Sequence, residues 1–107
     1  MLVSHTIDLE ELKSNKINES YVAQFAADIK YLLWHLNAPS TYEKSFSIKG
    51  SQRDLDRFSD VIAGEKNYMD AFIKYGLGDP RVRNNKMRLE KAIYSFEKDT
   101  GLKWPLT

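Results

Sequence analysis

The stretch YGLGDP, residues 75 to 80, decides the fold because it contains the end of one helix and the start of the next. Gly76 suits the left-handed conformation in which many helices end, and we expect Leu77 to fold back on Phe72. Asp79 is a favoured N-cap residue, and the proline after it suits the first turn of a helix. The stretch therefore predicts a helical hairpin whose two helices are antiparallel or cross steeply.

The helix before this turn is predicted to begin after Ser51, because Ser51 and Asp54 have the spacing of an N-terminal capping pattern. Its apolar positions follow a helical spacing as far as the turn: Leu55, Phe58, Ile62, Met69 and Phe72. Gly64 lies inside this pattern, but glycine costs only about 1 kcal/mol relative to alanine in a helix interior. The pattern favours one helix to Tyr75, with a kink or a break at Gly64 as the alternative.

Glu65 falls on the same stripe, where an aliphatic residue is expected. Burial there raises the pKa of a carboxyl group toward values useful for acid-base chemistry, whereas a kink at Gly64 turns the side chain outward. One carboxylate without a catalytic partner is too little to define an active site. We therefore predict that the protein is not an enzyme and name no catalytic residue.

The helix after the turn carries a second core stripe, formed by Val82, Leu89, Ala92, Ile93 and Phe96. Gly101 is predicted to end it in the left-handed conformation, which places Leu102 over Phe96. Trp104 and Pro105 are then expected to lie against the bundle.

The N-terminal half contains one more clear helix, residues 18 to 37, which Asn18 can cap and which ends before Pro39. Seven apolar residues share one face of about 120° and are predicted to be core: Val22, Phe25, Ala26, Ile29, Leu32, Leu33 and Leu36.

Trp34 projects away from that stripe, on the side of the helix that also carries Ala23 and Ala27. Small residues beside a large aromatic side chain allow another element to approach closely. We therefore predict a protein-binding surface at Ala23, Ala27 and Trp34, used by another protein or by a second copy of the chain.

Two short runs have the alternation of β-strands. In residues 43 to 49 the apolar positions alternate with polar ones, and residues 2 to 7 are the other strand-like run. Since a lone strand leaves its backbone groups unpaired, the two are expected to form a two-stranded ribbon. Asp8 and Glu11 then begin a short helix. The fold prediction is a mainly α domain spanning 1 to 107, with three main helices, a short N-terminal helix and this ribbon.

The last predicted helix also carries a basic row, and this row is the candidate nucleic-acid contact: Arg81, Arg83, Asn84, Arg88, Lys91 and Lys98, with Lys86 on its flank. The alternative is a solvated cationic face, because Glu90 can pair with nearby bases and no known DNA-binding motif accompanies the row. Met87 and Tyr94 lie with Arg83 on a further face whose composition is typical of protein interfaces, or they pack against the tail.

Composition excludes several classes of function. The net charge is +1, there is no cysteine, and no apolar run approaches the roughly 20 residues of a membrane span. His5 and His35 are not at metal-ligand spacing, and Asp56 and Asp60 stand beside arginines. We expect no metal, cofactor, small-molecule substrate or membrane contact, and a location in the cytoplasm.

Three segments, FSIKG at 46 to 50, GEKNYMDAFIKYGLGDP at 64 to 80 and LEKAIYSFEKDTGLKWP at 89 to 105, resemble small helical proteins encoded by bacteriophages and bacterial mobile elements. The resemblance covers the C-terminal part of the chain, and it implies a bacterial host without implying an activity. The functional hypothesis is a non-enzymatic protein that binds a host or phage component or itself. The alternative is a nucleic-acid-binding accessory protein.

Overall fold

The computed structural model describes residues 3–15, 18–37 and 44–106. Over these residues the element order is β1 (Val3–Asp8), α1 (Leu9–Ser14), α2 (Glu19–Asn37), β2 (Lys44–Lys49), α3 (Gln52–Tyr75) and α4 (Pro80–Thr100). This confirms the predicted fold class, a small helical bundle with three long helices, a short first helix and a two-stranded ribbon.

The two strands of the ribbon run parallel, from Val3 opposite Lys44 to Asp8 opposite Lys49. Parallel strands need a long crossover, and here α1 and α2 lie in the connection between them. Ile7 and Ile48 face each other in this register, and both belong to or pack against the core. The ribbon thus closes one end of the helical core.

Each helix begins where a capping side chain was predicted. The Asp8 carboxylate accepts the backbone N–H groups of the first turn of α1 at 3.1 Å, and Asn18 accepts one from α2 at 3.0 Å. Ser51 Oγ accepts the Asp54 N–H at 3.2 Å, and Asp79 accepts one at the start of α4 at 2.8 Å. These bonds satisfy N–H groups that have no partner within the helix.

α3 passes through Gly64 without a break, so the prediction of one continuous helix is confirmed. A Cβ atom at Gly64 would lie 3.2 Å from Leu89 Cδ1 and 3.4 Å from Leu89 Cα. The glycine therefore lets the backbone of α4 approach α3 closely, and the two helices form the main hairpin of the fold.

The turn between these helices differs from the prediction in one detail. Gly76 has a positive φ of 82°, but its ψ of 161° is extended and not left-handed helical. The chain consequently leads away from the helix, and Leu77 is 80% exposed. The expected burial of Leu77 against Phe72 is therefore wrong. At the end of α4, Gly101 does adopt the left-handed conformation, with φ 75° and ψ 4°.

Trp104 is the centre of the core and not a peripheral cover. It is 1% exposed, and its ring meets those of Phe25, Phe58 and Phe96 at centroid distances of 6.2, 5.9 and 5.4 Å. These three phenylalanines belong to α2, α3 and α4. The tail after α4 therefore supplies the aromatic side chain that joins all three long helices.

Among the described side chains, the predicted core stripes need four corrections. Val22, near the start of α2, is 40% exposed, and Phe72, near the end of α3, is 46% exposed, although both were assigned to the core. Val61 and Ala71 were not assigned to it and are buried. Val61 lies one helical turn before Gly64, which meets Leu89 of α4, so this side of α3 is covered although it lies outside the predicted stripe.

Asp54 is a buried charge that the sequence does not reveal. Its side chain is 0% exposed and pairs with Lys13 Nζ from α1. Its Oδ1 atom has no hydrogen-bond partner among the described residues, and Arg53 Nε lies 3.8 Å away. The pair ties α1 to the first turn of α3.

Candidate functional site

Trp34 lies at the surface of α2 and is 59% exposed. Its ring stacks beside that of Tyr31, with a centroid distance of 6.4 Å and an interplanar angle of 30°. A solvent-exposed tryptophan held by a neighbouring ring presents a large apolar surface at a small further cost in side-chain entropy.

A groove of about 620 Å³ lies next to Trp34. Its walls come from three parts of the chain: Lys30, Leu33 and Trp34 of α2, Glu65 and Met69 of α3, and Pro105 and Leu106 of the tail. We call these residues the Trp34 groove. Five of the seven residues are apolar, so burial of this groove against an apolar partner surface would be favourable.

The apolar surface continues along α3 beyond the groove. A second depression of about 270 Å³ is lined by Glu65, Tyr68, Met69 and Phe72. Because Glu65 and Met69 line both depressions, the two form one continuous surface. Ile73, 73% exposed, follows one helical turn after Met69. The apolar stripe that is core near Phe58 is thus open near the end of α3.

Glu65 is the polar group shared by the two depressions. Its Oε1 atom accepts a hydrogen bond from Trp104 Nε1 at 3.0 Å. Burial raises the pKa of Glu65, and the Trp104 bond opposes this effect without cancelling it. Among the described residues no cation lies within 4.0 Å of the carboxylate.

The predicted position of Glu65 against apolar side chains agrees with this environment, but its partner was missed. The two residues are 39 positions apart, and no local pattern links them. Among the described residues, Glu65 has an indole N–H donor and no second titratable group at hydrogen-bond distance. This arrangement positions a carboxylate and supplies no acid-base pair.

The other members of the predicted α2 surface lie outside the groove. Ala23 and Ala27 are exposed, and they extend the Trp34 side of α2 toward its N-terminus. Neither lines the Trp34 groove. They add small, solvent-facing residues beside it without shaping it.

Met87 and Tyr94 form a separate surface on α4. They are 58% and 67% exposed, so the tail does not bury them, and the expectation of peripheral packing is wrong. A shallow depression of about 470 Å³ is lined by Met87, Tyr94, Glu90, Lys91 and Ser95. Its walls come from α4 alone, which makes it less enclosed by the fold than the Trp34 groove.

Arg81 is the one cation of the basic row that pairs with an acidic residue among the described residues. Its Nε and Nη2 atoms donate to the two oxygens of Asp79 at 3.0 and 2.9 Å, and its guanidinium lies 3.4 Å from the centroid of the Tyr75 ring. The hydrogen bonds from Arg81 lower the pKa of Asp79 to about 2. Arg81 therefore links the end of α3, at Tyr75, to the start of α4, at Asp79.

The rest of the basic row is exposed on α4: Arg83, Asn84, Lys86, Arg88, Lys91 and Lys98. Within the described part of the chain, none of these five cations has an acidic partner within 4.0 Å. The expected pairing of Glu90 with neighbouring bases is likewise not seen there. The row is thus open to solvent.

The remaining candidates have ordinary partners. Asp56 accepts a hydrogen bond from Gln52 at 2.8 Å, and Asp60 pairs with Arg57 at 3.5 Å. No group of three or more His, Cys, Asp or Glu side chains suited to a metal ion occurs among residues 3–15, 18–37 and 44–106. The side chains of His5 and His35 lie outside the described set.

A further hollow of about 300 Å³ lies between β1, α1 and α2. Three carboxylates line it, those of Asp8, Glu11 and Asp28. Asp8 is the cap of α1, and Asp28 accepts a hydrogen bond from Gln24 at 2.9 Å. Two of the three carboxylates therefore already accept hydrogen bonds from residues close to them in the sequence.

In the described part of the chain no helix has the length and apolar character that crossing a membrane requires. A scan against protein-family models finds none that matches the chain, and searches of curated proteins and of solved structures find no match either.

Proposed function

We propose that this protein is a non-enzymatic binding protein that holds a segment of a protein partner in the Trp34 groove. The observation that carries the proposal is the exposure of Trp34, 59%, at the edge of an apolar groove walled by α2, α3 and the tail. Tryptophan and methionine are enriched in protein interfaces, and a few such residues supply most of the binding energy.

The groove supports this proposal better than the Met87 and Tyr94 surface does. Three parts of the fold converge on the groove, so a bound segment would be covered on more than one side. The Met87 and Tyr94 depression is walled by one helix. Binding hot spots favour well-packed pockets from which water is excluded, and the groove is closer to that condition.

The setting that we propose is a bacterial cell carrying a phage or mobile element, in line with the resemblance of the C-terminal segments. The partner is then a host or element-encoded protein, or a second copy of this chain. No catalytic role is included, because Glu65 has an indole donor and no proton-transfer partner at hydrogen-bond distance among the described residues.

The test compares Trp34→Ala with Tyr94→Ala, a matched loss of an exposed aromatic side chain outside the groove. Proteins captured from bacterial lysate by the wild-type chain are purified and titrated against both variants. We expect Trp34→Ala to weaken binding by at least about tenfold, which is typical of a hot spot, and Tyr94→Ala to retain affinity. Equal affinities for the wild type and Trp34→Ala would reject the groove as the binding site.

Self-association is measured with the same variants. Sedimentation of the purified protein over a range of concentrations reports its mass directly. A dimer that is lost in Trp34→Ala and kept in Tyr94→Ala would identify a second copy as the occupant.

A nucleic-acid contact is the second candidate, because five cations on α4 are exposed without an acidic partner among the described residues. Labelled duplex and single-stranded DNA would be titrated at low and moderate salt. A contact of this kind predicts binding that weakens steeply with salt and is lost in Arg88→Glu. Arg81→Gln is the matched control, since Asp79 and Tyr75 already occupy that guanidinium.

A further inference from the structure

Glu65 has one carboxylate oxygen that the described chain leaves open. Oε1 accepts a hydrogen bond from Trp104 Nε1, and no donor among the described residues bonds the second oxygen. Among the described residues, the one buried side-chain oxygen or nitrogen without a hydrogen-bond partner is Asp54 Oδ1. The second oxygen of Glu65 is therefore not sealed inside the fold and is accessible from the surface that Glu65 lines.

The residues that line these depressions together with Glu65 are mostly apolar. In the groove they include Leu33, Met69 and Leu106, and in the adjoining depression they include Tyr68 and Phe72. Lys30 lines the same groove but stands more than 4.0 Å from the carboxylate, since no ion pair joins them. Glu65 thus carries a partly desolvated charge that no cation among the described residues neutralises.

This arrangement discriminates between occupants of different chemistry. A purely apolar segment would remove the remaining water from the carboxylate without replacing its hydrogen bonds, which is costly. A segment with a positively charged side chain at the same place would form a charge-assisted hydrogen bond in a region of low dielectric. The carboxylate therefore opposes the first occupant and attracts the second.

We propose that the Trp34 groove selects a partner segment whose apolar residues flank one lysine or arginine, and that this cation pairs with Glu65. The inference rests on the proposed function and names the chemistry of the partner. Trp34 and Met69 supply apolar contact, and Glu65 is the specificity-determining residue.

The test uses short synthetic helical peptides that are identical except at one central position, which carries arginine, norleucine or glutamate. Their binding to the full chain is followed by fluorescence anisotropy. We expect the arginine peptide to bind at least about tenfold more tightly than the norleucine peptide, and the glutamate peptide to bind least tightly.

The matched variant is Glu65→Gln, which keeps the size of the side chain and an oxygen that can accept the Trp104 N–H. We expect it to lose the preference for arginine while the norleucine peptide binds at least as tightly as before. Equal binding of the arginine and norleucine peptides to the wild type, no detectable binding of the arginine peptide, or a preference that persists in Glu65→Gln would each overturn the inference.

Two further variants are Lys30→Gln and Trp34→Ala. The first keeps the inference testable if Glu65→Gln does not fold, and the second distinguishes failure of the inference from failure of the proposed function. Lys30→Gln removes the positive charge of the lysine that lines the groove. We expect it to strengthen binding of the arginine peptide. If Trp34→Ala loses the natural partner but Glu65→Gln binds it with wild-type affinity, the groove remains the binding site and the charge selection is refuted. If Trp34→Ala instead binds the natural partner as tightly as the wild type does, the proposed function itself is rejected.

Discussion

Two carboxylates of α3 show how differently single residues can be accommodated in one helix. Asp54 is fully buried and is compensated by Lys13, a charge from another helix. Glu65 is partly buried and is compensated by the neutral N–H of Trp104. In the first arrangement a fully buried carboxylate pairs with a lysine whose side chain is 30% exposed, so removal of the lysine takes away the main charge partner of the carboxylate. In the second arrangement, burial favours the protonated form of the Glu65 carboxyl group.

Removal of Lys13 tests the first arrangement. We expect Lys13→Ala to lower the free energy of unfolding by about 3 kcal/mol, because the buried Asp54 carboxyl group would lose its main hydrogen-bond and charge partner. Urea denaturation followed by circular dichroism measures the change. The control is Lys66→Ala, which removes an exposed pair with Asp70 at 2.7 Å and should cost no more than about 0.5 kcal/mol. Similar costs for the two substitutions would contradict the role assigned to Asp54.

The pH dependence of Glu65→Gln tests the second arrangement. The folded pKa of Glu65 is raised above its usual value of 4.5, so the carboxyl contributes stability below that pH. This contribution is lost as pH rises through the folded pKa. We therefore expect Glu65→Gln to gain stability relative to the wild type between pH 4 and pH 7, as followed by urea denaturation at both values. If the difference in stability between Glu65→Gln and the wild type is the same at both pH values, the pKa of Glu65 is not raised and the prediction is wrong.

At the scale of the elements, the α3 and α4 hairpin depends on a close approach at Gly64. The space above this glycine is filled by Leu89, which is itself buried. Helix propensity alone would favour alanine at position 64, by about 1 kcal/mol. The contact distances show why packing outweighs propensity there, since a larger side chain has to displace Leu89 or separate the helices.

Gly64→Val is the corresponding prediction. We expect it to destabilise the protein by about 1 to 3 kcal/mol, the usual range for overpacking in a core. Ala63→Val is the control, because Ala63 is exposed on the same turn and the substitution there changes little beyond helix propensity, about 0.5 kcal/mol or less. Thermal and urea unfolding of the two variants give the comparison. A cost for Gly64→Val as small as the control would mean that the helices separate freely.

At the scale of the whole molecule, Trp104 connects the long helices through three edge-on or tilted aromatic contacts. Its backbone N–H is also held by Glu97, at 2.8 Å. The tail is thereby part of the core, and it also supplies Pro105 and Leu106 to the Trp34 groove. The proposed binding surface and the stability of the fold consequently depend on one segment.

Trp104→Ala and Trp34→Ala should separate these two roles. We expect Trp104→Ala to cost about 3 to 5 kcal/mol of unfolding free energy, as large aromatic truncations in cores do. Trp34→Ala should change stability by about 0.5 kcal/mol or less, because its side chain is mostly exposed. Urea denaturation followed by circular dichroism compares the two without relying on tryptophan fluorescence. A strongly destabilised Trp34→Ala would show that Trp34 belongs to the core.

What the sequence determined by itself is local. The caps at Asp8, Ser51 and Asp79 and the left-handed stop at Gly101 depend on hydrogen bonds between residues a few positions apart, so they were predicted. The fold class followed from the same signals and from helical periodicity.

Only the tertiary structure decided which parts of each stripe are covered. Val22 and Phe72 are as apolar as their buried neighbours, yet they are 40% and 46% exposed. The Asp54 and Lys13 pair and the Trp104 and Glu65 bond join residues 41 and 39 positions apart. Contacts at such separations follow from the packing of whole elements, because periodicity specifies a face of a helix and does not specify the neighbour that meets it.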